Sequence, residues 1–180
     1  PQRMPQPPLS SPNALRASSR VLKVAVALNL LSATFIIAIV AGLAINRDWT
    51  MTAIGIRETA PRDALLIGML VLAAFGSLGI LVMHRILRGL QAIVATVREG
   101  DPFVPDNAVR LEAIAWNAVW LEILHLGVGA VATAMDSPAQ PFDVDWNFSF
   151  TPWVAVLMLF VLARVFAHGT RLRDDLEGVV

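Results

Sequence analysis

A chain of 180 residues that is 56% hydrophobic and 16% charged, with its apolar residues gathered into blocks, cannot cover itself with polar surface as a soluble domain of that size does. Basic and acidic residues balance at 14 each, which leaves no net field for nucleic acid, and the lack of cysteine excludes disulfides, thiolate metal sites and thiol nucleophiles. The composition is that of an all-α integral membrane protein. Its blocks are long and unbroken, as in helices, and lack the short alternating segments of barrel strands.

In chain order, residues 1–19, PQRMPQPPLSSPNALRASS, are rich in Pro, Ser and Gln and read as a disordered cytoplasmic tail. Residues 20–180 then form a membrane domain, a four-helix bundle. Span one runs from Val21 to Ile45; it is too long for the core of a signal peptide and has no small-residue cleavage site, so it is expected to be retained. Span two runs from Ala64 to Met83, and its helical stripe continues through Ile86, Leu87, Leu90, Ile93, Val94 and Val97. That predicts one helix of about 35 residues, about 50 Å long, which extends several turns into the cytoplasm. Gly100 ends it, Pro102 and Pro105 impose an extended turn, and Asp106 or Asn107 caps span three, Leu111 to Ala134. Span four runs from Trp153 to Ala167. The other two connections contain WTMTAIGIRE and VDWNFSFTPW, whose partial alternation allows a small extracytoplasmic β-hairpin pairing Trp49–Ile56 with Asp143–Phe150.

Basic residues set the expected orientation. Arg3, Arg16, Arg20 and Lys23 flank span one, Arg85, Arg88, Arg98 and Arg110 lie between spans two and three, and Arg171 and Arg173 follow span four. Only Arg47, Arg57 and Arg62 lie on the other side, so both termini are expected in the cytoplasm and the protein in a bacterial cytoplasmic (inner) membrane. Trp49, Trp146 and Trp153 would then share the outer interface.

Glu122 and His125 form Glu-x-x-His, which puts a carboxylate and an imidazole on one face of span three. Carboxylate-bridged dimetal bundles use two such pairs with two further carboxylates, and this chain has one pair, so no metal or other cofactor is expected. Equating the midpoints of spans three and four puts Glu122 just outside the midplane and Arg164 about 4 to 5 Å inside it, within reach of an ion pair. Asn29 and Asn117 would complete an intramembrane polar cluster. The alternative is a proton or ligand site. Ala73, Gly76, Ser77 and Gly79 suit close helix packing, within the chain or against a second copy. Phe103 in the turn and Asp174, Asp175 and Glu177 in the tail are candidates for docking a partner. No phosphate-binding glycine motif or nucleophile triad is present, and no enzyme activity is expected.

REGDPFVPDNAVRLEAIAW, residues 98–116, and FSFTPWVAVLMLFVLARVFAHGTRLRDDLEGVV, residues 148–180, resemble the DUF2975 family of bacterial four-span inner-membrane proteins of unknown function. The resemblance rests on the turn at Gly100, Pro102 and Phe103, the helix start from Asn107 to Leu111, and Gly169-x-x-Leu172 before the acidic tail, and it takes in nearly everything after residue 19. Gly178 and Val179 depart from the threonine-containing ending common there. Members often sit beside a gene for a small helix-turn-helix regulator, which implies a regulatory or scaffolding protein with that regulator as partner. The alternatives are an accessory subunit of a larger respiratory or photosynthetic membrane complex and, with less support from four uninterrupted spans, a small transporter component. Membrane lipids and another protein are the expected partners, a second copy is a further candidate, and direct contact with nucleic acid is not expected.

Overall fold

The computed structural model describes residues 12–141 and 149–177. They form five helices: α1, Pro12–Ile45; α2, Arg47–Ala53; α3, Arg62–Glu99; α4, Pro105–Met135; and α5, Thr151–Glu177. All but α2 are long and apolar enough to cross a membrane. Among the described residues there is no strand, and a single isolated bridge joins Ser137 and Gln140.

α1 begins at Pro12, inside the stretch expected as a tail. Proline suits the first helical position, where its missing N–H would have no partner in any case. The rest of that expected tail lies outside the described residues. The less exposed positions of α1, Leu22, Val26, Asn29, Ala33, Ile36 and Leu43, recur at spacings of three, four and seven, which makes one narrow seam. The seam lies on α3, where Gly76 admits the Ile36 side chain; a Cβ there would stand 2.8 Å from its terminal methyl carbon.

The four long helices do not close into a bundle. They stand in an open row, α1, α3, α4, α5, each packed on its antiparallel neighbour, with no approach of α1 to α4 or α5 or of α3 to α5. A row leaves two broad faces uncovered, and lipid serves that purpose where water could not.

The first arm of the expected hairpin is a helix. Asn46 ends α1 and caps α2, its side chain accepting the Trp49 N–H at 3.1 Å, and Asp48 lies in the first turn. A good cap and a favourable charge at the helix N-terminus outweigh the modest strand preference of WTMTAIGI. Helical winding turns Met51 inward to join Leu43, Ile56, Ala60 and Leu65 in the buried apolar cluster at this end. Most of the second arm, residues 143–148, lies outside the described residues.

α3 is one continuous helix of 38 residues, as its stripe predicts. Gly100 ends it with φ of 90°, a left-handed conformation that glycine adopts without a Cβ clash. α4 starts at Pro105, earlier than its apolar run, and neither Asp106 nor Asn107 caps it: Val104 holds the cap position without a side-chain hydrogen bond.

Candidate functional site: the intramembrane polar groups and the basic-end clasp

The expected intramembrane cluster is not assembled. Asn29 reaches across to α3, where its Nδ2 donates to the Ile80 carbonyl at 3.2 Å, while Asn117 donates to the Ala113 carbonyl of its own helix at 2.7 Å. Glu122 is half-buried, and His125 and Arg164 are exposed. Among the described residues, no hydrogen bond or ion pair links any two of these five.

Helix register is the reason. Trp116 of α4 stands edge-on to Phe160 of α5, with ring centroids 5.3 Å apart at 81°. From that level Glu122 is six residues toward the α2 end and Arg164 four residues toward the other, so about 15 Å of axial rise separates them. Equating the midpoints of the two apolar runs overlooked this slide of α5 along α4. Among the described residues no three His, Asp or Glu side chains group as metal ligands.

The small residues divide between two seams. Gly76 receives Ile36 of α1, Gly79 faces Leu121 of α4, and Ser77 is exposed, its hydroxyl donating to the Ala73 carbonyl at 2.7 Å. Ala73 lines a shallow apolar cavity with Phe35, Ile36, Ile39 and Met69 between α1 and α3. Gly76 and Gly79 thus pack against other helices of this chain, whereas Ser77 bonds only within α3.

At the end where the basic residues collect, the α3–α4 turn is tied down by a residue that sequence reading had cast only as a cap. Asn107 is fully buried, at 0% exposure. Its Nδ2 donates to Thr96 Oγ1 at 2.6 Å and to the Pro102 carbonyl at 2.9 Å, and its Oδ1 accepts from Arg110 at 2.9 Å. Every polar atom of the amide is thus used, as burial requires. The turn then grips α5. Phe103 lies 5.3 Å from the Phe166 ring and against Gly169, the Thr170 hydroxyl lies 3.4 Å from the Phe103 carbonyl, and Arg173 pairs with Asp101. Phe103, expected as a docking residue, is 43% exposed yet serves first as this internal clasp. Asp175 is exposed beyond it, and the side chains of Asp174 and Glu177 lie outside the described residues. The Gly-x-Pro-Phe segment marked the turn, but nothing in the sequence pointed to the Asp101–Arg173 pair.

Four helices long and apolar enough to cross a membrane define a polytopic helical membrane protein. The chain belongs to the DUF2975 family, described as a protein of unknown function, which matches over residues 58–180, or 123 of the 180. The match takes in α3, α4 and α5 and begins after α1 and α2, so it is shorter than the resemblance expected from sequence. No curated protein and no solved structure matches the chain.

Proposed function

We propose that the protein is a non-enzymatic docking platform of a bacterial inner membrane, with both termini and the α3–α4 turn in the cytoplasm. The observation that carries this reading is the clasp. α3 continues as helix well past its apolar run, and the Asn107 and Phe103 contacts fasten its turn to the end of α5. The result is a fixed surface beyond the spans, with Asp175 displayed beside it. Fixed geometry at a membrane edge suits recognition of another protein, because less ordering is required on binding. The basic residues at that end, Arg16, Arg20, Lys23, Arg85, Arg88 and Arg98, favour the cytoplasmic assignment. A small helix-turn-helix regulator is the partner we favour, on the family resemblance.

The second reading, an accessory subunit of a larger membrane complex, draws on the open row. Among the described residues α1 is held by α3 and α2, and Trp116 and Trp120 are 55% and 57% exposed on α4. Two measurements separate the readings. Cysteines at Glu58 and Glu99, both exposed, should label with an impermeant reagent at Glu58 only in intact cells; the reverse pattern rejects the cytoplasmic platform. In native membranes, reversing Asp174, Asp175 and Glu177 to lysine should release the copurifying protein at unchanged membrane level. Release by leucine at Trp116 and Trp120 instead would support the accessory subunit.

A further inference from the structure

A cavity of about 170 Å³ opens between α1 and α3 at the basic end. Ser19 and Lys23 of α1 line it with Gln91 and Arg98 of α3, and Leu22 and Val94 supply apolar wall. No carboxylate lines it. Neither Lys23 nor Arg98 forms a hydrogen bond or ion pair among the described residues. Arg20 and Arg16 stand about one and two turns from Lys23 along α1, which contains no Asp or Glu, and Glu99 is the carboxylate of α3 beyond Arg85. Two cations with so little counter-charge repel each other unless an anion sits between them. The donors available, an ammonium, a guanidinium, a hydroxyl and a carboxamide, are those that phosphate oxygens accept from.

The place narrows the source of that phosphate. The cavity lies where the apolar seam of α1 ends, so a ligand with its head at Lys23 would lay its remainder along Leu22 and Val26. That is the form of a lipid, with charge at the boundary and hydrocarbon beneath it. We propose that this cavity binds the phosphate of an anionic glycerophospholipid, with Lys23 and Arg98 neutralising it, Ser19 and Gln91 donating hydrogen bonds, and Leu22 and Val94 packing on the glycerol and first methylenes. A bound lipid would also fasten the basic end of α1 to α3. The inference does not depend on which side of the membrane that end faces.

The full chain in nanodiscs, titrated with phosphatidylglycerol in a phosphatidylcholine background and read by native mass spectrometry, tests it. Lys23→Gln with Arg98→Gln should weaken phosphatidylglycerol binding about tenfold or more. Arg85→Gln with Arg171→Gln removes two exposed charges from the same end and should change it less than about threefold. The charge-preserving pair Lys23→Arg with Arg98→Lys should keep binding near wild type, which separates loss of charge from misfolding. An equal loss in the Arg85 and Arg171 variant would make the effect a diffuse surface field and overturn the site. Full competition by millimolar inorganic phosphate or glycerol 3-phosphate would assign the cavity to a soluble anion and overturn the lipid assignment. Wild-type binding in the Lys23 and Arg98 glutamine variant would remove the proposal.

Discussion

The two ends of the molecule are fastened by different physics. At the α2 end, Leu43, Met51, Ile56, Ala60 and Leu65 form a small dry cluster, and ion pairs of Arg47 with Asp63 and Arg62 with Asp48 stand at its edge. Gln140 reaches over from beyond α4, accepting the Arg57 backbone N–H at 2.9 Å. At the basic end the fastening is polar and centres on one amide, Asn107, with an aromatic contact and an ion pair carrying it to α5. The α2 end ties α1 to α3, and the basic end ties α3 and α4 to α5. Between them the helices meet along seams that bury Leu87, Ile114, Ala115, Val156 and Ala163. Where water reaches, the chain builds a compact fastening; where lipid surrounds it, helix seams suffice.

That contrast predicts unequal responses. Leu65 is 2% exposed at the centre of the α2-end cluster, so Leu65→Ala should leave a cavity and cost about 2–5 kcal/mol in thermal unfolding of the detergent-purified protein. A loss below about 1 kcal/mol would mean the cluster collapses around the change and is no fastening point. Asn107→Ala should cost less, about 1–3 kcal/mol, because it removes three hydrogen bonds but strands only partners that water can reach at the turn. Its signature is spatial. Amide hydrogen exchange should rise across residues 100–110 and the end of α5 while the α2 end keeps its protection. A uniform rise would show that the two ends unfold as one unit.

Much of the helical framework was legible because membrane spans announce themselves by length, and because Gly100, Pro102 and Pro105 punctuate α3 and α4 without ambiguity. The hairpin was misread because WTMTAIGI carries a strand-like pattern, while its fate was decided by Asn46 just before it and by burial of Met51. The open row was not legible, since an apolar helix face reads alike whether lipid or another helix covers it. The polar cluster failed on register. Sequence gives the length of each span, but the axial offset of α5 against α4 is set by side-chain fits such as Trp116 on Phe160 and Phe103 on Gly169, which no single helix records.

The smallest expected effect is the sharpest test of that register. Two residues that form a buried ion pair couple strongly, because removing one strands the other, and the double change then costs less than the sum of the single ones. Glu122 and Arg164, about 15 Å apart along the helix axes, share no partner and lie beyond the distance at which mutational effects couple. Arg164 is exposed on α5 and Glu122 is half-buried on α4, so each substitution acts on its own surroundings. Glu122→Gln and Arg164→Gln should therefore add in thermal unfolding to within about 0.5 kcal/mol. A coupling well above that would require α5 to slide by nearly three turns along α4. Such a slide would break the Trp116–Phe160 contact, the seat of Phe103 on Gly169 and the Asp101–Arg173 pair together. Additivity thus checks the basic-end clasp as well, from a site outside it.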